Sequence, residues 1–151
     1  MLQQVRLLEW LLEVDTEATA ATYRNVPSDQ DCTCAYCRNF RAAWRTLPAE
    51  LLQVLETLGI DPAKPLDITE FWENEDGTHF YMGMYNLVGR IVDGDDYRTV
   101  SRKSGQIDLH PLVENAGIGF TGDVDFGRGF PTPILQAEFM ADVPWVLGEK
   151  P

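Results

Sequence analysis

The sequence has no long hydrophobic run, few cations, two histidines and three cysteines. No window approaches the roughly 18 apolar residues of a membrane-spanning helix. Glu9 and Glu13 interrupt the apolar N-terminus, so we expect no secretory signal peptide and no membrane association. The cysteines are an odd number within six residues, which is unsuited to a secreted disulfide framework. These features predict a cytoplasmic protein with reduced thiols.

The shortage of cations makes the chain strongly acidic. Its 151 residues contain 12 Lys and Arg against 24 Asp and Glu, a net charge of −12. Proteins that bind duplex nucleic acid or anionic membranes present positive patches, so the charge argues against both. Residues 61–100 hold nine carboxylates against three cations, net −6, and therefore half of the excess. Such an acidic face predicts a basic protein as a possible partner, with solubility as the alternative role.

The first 58 residues predict helices. Apolar residues at helical spacing predict a helix over residues 2–23 that breaks near Asp15, and a second over about 34–46. A third helix begins near Pro48, and Gly59 fits its left-handed C-cap. The apolar residues behind these predictions include Leu2, Val5, Leu8, Leu12, Cys37, Phe40, Trp44, Leu47, Leu51, Leu55 and Leu58.

The remainder predicts strands. Asp76-Gly77 is typical of a two-residue hairpin turn, and pairing outward from it places Trp72 opposite Tyr81. Both faces of this hairpin are apolar, so we expect it to be covered on both sides. Its second strand should continue to a turn at Asp93. Further strands are expected near 97–102, 106–110, 117–123 and 134–143, the last with clean alternation of apolar and polar residues.

Together these patterns predict an α+β fold. N-terminal helices (about 2–58) should pack on a mostly antiparallel, meander-like sheet of four to six strands (about 66–146). With no repeat or linker in evidence, residues 1–151 are expected to form a single domain.

The most informative motif is Cys32-x-Cys34-x-x-Cys37, at the start of the second predicted helix. Thiolate is the metal-binding form of cysteine, and the N–H groups and dipole of a helix N-terminus favour it. Three soft ligands so close together predict a structural zinc site. The fourth ligand is expected to be His79, with the nearby Asp29 and Asp31 as alternatives.

Other interpretations of these cysteines stay open. A reduced turn in which they pack as small apolar side chains is an equal alternative to zinc. A catalytic or redox thiolate is less favoured, because a redox Cys-x-x-Cys normally follows a strand within a βαβ unit. An iron–sulfur cluster is least favoured, since three protein ligands leave one iron open.

Arg38, Arg41 and Arg45 form a second candidate site, because their spacing places them on one side of the cysteine helix. This stripe predicts a binding place for an anionic ligand or partner. The favoured alternative is ion pairing within this acidic protein.

Two further motifs have ordinary interpretations. Gly117-x-Gly119-x-x-Gly122 matches a dinucleotide-binding pattern, but no helix can follow it, so we interpret it as a strand and loop. Asp123-x-Asp125 resembles part of a calcium loop, but residue 134 is Ile instead of the required Glu. A solvated acidic loop is expected there.

The sequence therefore indicates a small acidic binding or interaction protein whose cysteine turn holds zinc or packs reduced. The alternative is a small enzyme that uses the cysteine cluster as a metal or thiolate site. No residue outside this cluster qualifies as catalytic. The sequence carries no signature of an oligomeric state.

Overall fold

The computed structural model describes residues 1–27 and 32–151. Within them the chain forms a seven-stranded antiparallel sheet, four α-helices and a 3-10 helix, which confirms the α+β class. The sheet is larger than predicted, and two strands precede the first helix. The strands are β1 (Gln3–Leu7), β2 (Trp10–Val14), β3 (Asp67–Glu73), β4 (His79–Asp93), β5 (His110–Val113), β6 (Ala116–Thr121) and β7 (Ile134–Val143). The helices are α1 (Thr16–Arg24), α2 (Ala35–Ala43), a 3-10 helix (Trp44–Thr46), α3 (Ala49–Thr57) and α4 (Tyr97–Ser104).

Strand β4 organises the sheet. The strand order is β1-β2-β4-β7-β6-β5, and β3 also pairs with β4. One edge of β4 pairs with β3 through residues 79–84 and with β2 through residues 89–93. The other edge pairs with β7 through residues 79–88. Strand β3 therefore lies at the sheet edge, joined to the rest through β4.

The predicted helix over residues 2–23 is wrong for its first half, which is the β1–β2 hairpin. Leu7 pairs with Trp10, and Leu8 adopts a positive φ of 54° in the turn between them. Trp10, Leu12 and Val14 are all buried, at every second residue, as a strand requires. Helix α1 begins only after Asp15, whose carboxylate accepts a 2.9 Å hydrogen bond from the backbone N–H of Ala18.

The predicted strand near 97–102 is also wrong, because this segment is α4. The Asp96 carboxylate caps it by accepting from the N–H groups of Arg98 and Thr99. Gly105 ends it in the left-handed conformation, with φ of 75°. The last strand is confirmed at residues 134–143, whereas the two short strands before it are shifted to β5 and β6.

The β3–β4 hairpin has a different register from the predicted one. Its loop is a three-residue turn over residues 75–77, closed by a bond from the Asn74 N–H to the Thr78 carbonyl (2.7 Å). Trp72 consequently pairs with Phe80 instead of Tyr81, and a bulge follows at Phe71. The expected cover on both sides is also wrong here. Phe71 and Trp72 are 50% and 54% exposed.

The main core lies between one sheet face and helices α1–α3. On α2, the Phe40 ring lies 5.9 Å from the rings of both Tyr81 and Phe139. The opposite face carries a smaller cluster, in which Tyr97 of α4 packs with Met82 and other apolar side chains. Among the described residues, no helix has both the length and the apolar character to cross a membrane.

Candidate metal centre

The three cysteines come together where the chain enters α2. Cys34 is the N-cap, in an extended conformation, and its sulfur accepts a hydrogen bond from the Cys37 N–H (N···S 3.5 Å). This turn brings the three Sγ atoms of Cys32, Cys34 and Cys37 within 4.8 Å of one another. All three are free thiols, without a disulfide between them. The grouping predicted from spacing is therefore present, and it is compatible with a metal site.

The thiols in this cluster differ in acidity. The pKa of Cys34 is lowered, chiefly by the backbone N–H of Cys37, which stabilises the thiolate. The pKa of Cys37 is raised, chiefly because its buried sulfur is poorly solvated and also because it lies beside the other two thiols. Cys32 and Cys34 are exposed, whereas Cys37 is buried. Cys34 is thus expected to lose its proton before Cys37.

No His, Asp or Glu among residues 1–27 and 32–151 joins the three sulfurs at this spacing. His79 is 3% exposed and packs between aromatic rings, with centroids 6.2 Å from Tyr36 and 5.0 Å from Trp145. Its Nδ1 has no hydrogen-bond partner in the part of the chain that the structure describes, and it lies 3.7 Å from Glu70 Oε1. A fourth-ligand role for His79 stays a prediction, and Asp29 and Asp31 lie outside the described residues.

Buried polar contacts fix the helix that carries the cysteines. Asn39, which is 0% exposed, donates to the Pro144 carbonyl (3.1 Å) and accepts from the Val146 N–H (2.8 Å). The Tyr81 hydroxyl on β4 donates to the Tyr36 carbonyl (2.8 Å). Sequence reasoning missed the roles of Asn39 and Tyr81 and the docked segment 144–149. The sequence signal for Asn39 was an amide four residues before Ala43, which places both on one buried side of the helix.

The arginine stripe divides among different partners. Arg38 donates to the Thr33 carbonyl (2.9 Å) and pairs with Glu149. Arg45 lies over its neighbouring ring, 4.5 Å from the centroid of Trp44. Arg41 alone of the three lines the cavity beside the cysteines. Anion binding by the stripe as a whole stays a prediction, and the structure shows an ion pair for Arg38.

A cavity of about 120 Å³ adjoins the cysteine cluster. At roughly 30 Å³ per molecule it has room for a few waters or a very small ligand. Cys32 and Cys37 contribute to its wall, and Arg41, Asp67 and Arg128 supply charges of both signs. The cavity wall therefore combines two cationic side chains with one carboxylate.

The other two motifs serve packing and ion pairing. Gly119 lies in β6, where an added Cβ would stand 2.7 Å from Leu109 Cδ2 and 2.9 Å from Tyr97 Cβ. The glycine therefore lets α4 approach the sheet, as expected of a strand residue instead of a phosphate loop. The Asp125 carboxylate accepts a bidentate pair of hydrogen bonds from Arg98, at 2.9 and 2.5 Å.

Comparison of the chain with models of known families, with curated proteins and with solved structures gave no match. The chemistry of the cysteine cluster is therefore what indicates a function.

Proposed function

We propose that Cys32, Cys34 and Cys37 bind one zinc ion, and that the chain is a small zinc-stabilised interaction protein of the cytoplasm. The observation behind the metal proposal is the convergence of three free sulfurs at one helix N-terminus. Zn–S bonds of about 2.3 Å at tetrahedral angles separate neighbouring sulfurs by about 3.8 Å. A contraction of at most about 1 Å from the observed spacing would meet that requirement.

The hydrogen bonding of the cluster suits bound thiolates. The Cys37 N–H already points at the sulfur of Cys34, and it would stabilise negative charge there. The unpaired N–H groups at the start of α2 act in the same direction. Zinc would replace the proton of Cys37, whose pKa is raised, so zinc affinity should fall as the solution becomes more acidic.

A zinc ion here would fasten the segment that enters α2 to the first turn of that helix. Asn39 and Tyr81 hold α2 against the sheet already, so the ion would add local order to a preformed fold. Such a role is that of a structural site, and it fits an interaction protein better than an enzyme. Its partner is proposed to be a basic protein, attracted by the acidic residues 61–100.

The test of zinc binding is metal analysis of chain purified without chelator. We expect one zinc per chain in the wild type, and we expect the Cys34→Ser variant to lose it together with several degrees of melting temperature. Thr33→Ala is the matched control, because it alters the same turn but removes no sulfur. Metal-free wild-type protein that binds no added zinc would contradict the proposal, as would full occupancy in Cys34→Ser.

Cobalt substitution identifies the fourth ligand. Tetrahedral thiolate coordination gives cobalt(II) intense visible and near-ultraviolet bands. If His79 completes the site, His79→Gln will shift these bands and weaken binding, while Asp29→Asn and Asp31→Asn will not. The opposite pattern would assign the ligand to the aspartates. Unchanged spectra in all three variants would leave the fourth position to solvent or a partner.

A thiolate site is the second candidate, favoured by the contrast between exposed Cys34 and buried Cys37. The lowered pKa of Cys34 should make it the thiol that iodoacetamide modifies first near neutral pH. If zinc is resident, the metal will slow this alkylation and chelation will restore it. Equal alkylation rates with and without zinc, in a chain that binds no metal, would favour the thiolate function instead.

A further inference from the structure

The outer face of the β3–β4 hairpin carries exposed aromatic rings in a strongly acidic neighbourhood. We propose that Phe71, Trp72 and Phe80, here called the aromatic platform, bind an Arg- or Lys-bearing segment of a protein partner. This inference rests on the proposed interaction role but not on zinc. It assigns that role to particular side chains and to one class of ligand, a cationic peptide.

The geometry of the platform leaves one ring face open. The rings of Trp72 and Phe80 stack with a centroid distance of 4.6 Å and an angle of 11° between their planes. Phe71 lies 6.1 Å from both. Because Phe80 covers only one face of the indole, and Trp72 is 54% exposed, the other face is accessible to a ligand. An aromatic face attracts cations through its quadrupole, most strongly in tryptophan.

The indole is held in place although it is exposed. Its Nε1–H donates to Asn74 Oδ1 (3.0 Å). The amide of Asn74 is itself fixed, because it donates to Asp142 Oδ1 (2.8 Å) and to Thr78 Oγ1 (3.0 Å). A ring ordered in advance loses little conformational freedom when a ligand binds. This arrangement therefore suits a recognition surface.

The charge around the platform selects a cation. Four exposed carboxylates lie on β3 or in the hairpin turn, namely Asp67, Glu73, Glu75 and Asp76, and Asp142 of β7 pairs with Phe80. Residues 61–80 contain one cation, Lys64. The Lys64 ammonium is occupied elsewhere, since it donates to the Tyr23 carbonyl (2.8 Å) and lies 4.0 Å from Asp61. In the described part of the chain, arginines lie over three aromatic side chains, but no cation lies over Trp72 or Phe71. A cation bound to the platform would therefore come from a partner.

The position of β3 makes the platform reachable. Within residues 1–27 and 32–151 the strand pairs with β4 alone, so its outer edge faces no other strand. The bulge at Phe71 and the acidic side chains on β3 discourage pairing with a neutral strand of another copy. The charge pattern therefore supports a different binding mode, in which side chains of the platform recognise a basic segment.

The test uses a fluorescein-labelled synthetic peptide of alternating arginine and threonine, with a glutamate–threonine peptide as its negative control. We expect the arginine peptide to bind, and Trp72→Ala to weaken it about tenfold or more, as for an aromatic anchor. Phe126→Ala is the matched control, because this ring is 55% exposed elsewhere on the surface. It should bind the peptide like the wild type.

A second pair of variants separates local from overall charge and keeps the rings intact. Glu73→Gln combined with Glu75→Gln should weaken binding several-fold, whereas Asp108→Asn combined with Glu114→Gln, with the same change in net charge, should not. Equal weakening by both pairs, or equal binding by Trp72→Ala and wild type, would overturn the proposal. So would wild-type dimers that Trp72→Ala abolishes, because a second copy would then occupy the platform.

The cysteine variant distinguishes this inference from the zinc proposal. Cys34→Ser should bind the arginine peptide as the wild type does, even if its zinc is lost. Loss of peptide binding in that variant would overturn the location of the site on the platform. Wild-type chain that binds no added zinc but does bind the arginine peptide would refute the metal proposal and leave this one standing.

Discussion

Asn39 provides a sharp test of how the cysteine helix is held, because one buried amide joins α2 to residues 144–146. The Asn39→Ala substitution removes the donor to the Pro144 carbonyl and the acceptor of the Val146 N–H. Each buried backbone group left unpaired costs about 1–3 kcal/mol. Water can reach this surface segment, which favours the lower end, and alanine returns up to about 0.7 kcal/mol of helix propensity.

The net expectation is a loss of about 2 kcal/mol in the free energy of unfolding. For a chain of this size that corresponds to a melting temperature about 4–8 °C lower. Urea titration followed by tryptophan fluorescence measures the first quantity, and calorimetry measures the second. Chymotrypsin should also cleave after Trp145 more readily, because the segment that carries it is no longer fastened to α2.

The control for this experiment is Gln53→Ala, which replaces an exposed side chain on α3 and should change stability by less than about 0.5 kcal/mol. If Asn39→Ala is as stable as that control, the amide does not hold the terminal segment. Asn39→Asp adds a finer comparison, because it retains an acceptor for the Val146 N–H but has no donor for the Pro144 carbonyl.

Two further predictions concern the sheet and the end of α3. Burial raises the pKa of Glu138 to about 6, so the folded state holds its proton more tightly than the unfolded chain. The free energy of unfolding should therefore rise by about 1 kcal/mol as pH falls from 7.5 to 4.5, after allowance for solvent screening. Urea titrations should show no such rise for Glu138→Gln, and an equal rise there would refute it. Gly59→Ala should destabilise far more than Gly105→Ala. Both glycines have positive φ, but only at Gly59 would the Cβ lie 2.5 Å from the Thr16 carbonyl oxygen. Equal melting temperatures for the two variants would contradict that reason.

The accuracy of the fold prediction varied with the local signal. Strand β7 was predicted correctly because alternation over ten residues has a single interpretation. The β1–β2 hairpin was mistaken for a helix because Leu8 occupies a turn position with positive φ, where glycine or asparagine is the usual signal. Without that turn signal, the leucine spacing fits the 3.6-residue period of a helix, although the segment forms two strands.

Helix α4 shows the opposite error, because here a helix was mistaken for a strand. Its capping residues, Asp96 and Gly105, are present in the sequence, but the strand expected near 97–102 takes no account of them. Capping carries more information than periodicity for a short polar helix, because only one face of such a helix needs to be apolar.

For the candidate site, too, local features were predictable from the sequence and long-range contacts were not. The spacing of the cysteines predicted their convergence, since a cap and the first helical turn fix those distances locally. Contacts between distant parts of the chain were beyond such reasoning. Examples are Asn39 with residues 144–146 and Arg38 with Glu149, whose partners lie over a hundred residues away.

The central place of β4 also sets the order in which the chain can fold during synthesis. Strand β2 ends at Val14, but its partner residues on β4 begin at Gly89 and end at Asp93. A ribosome that adds about 5–20 residues per second needs about 4–16 s to cover that interval, and the β1–β2 hairpin waits unpaired for as long. Strand β7 then enters between β4 and β6 as the last strand made. Chains that stop before residue 134 would expose the adjoining edges of both strands, so nascent or truncated forms of this protein should depend on chaperones and aggregate readily.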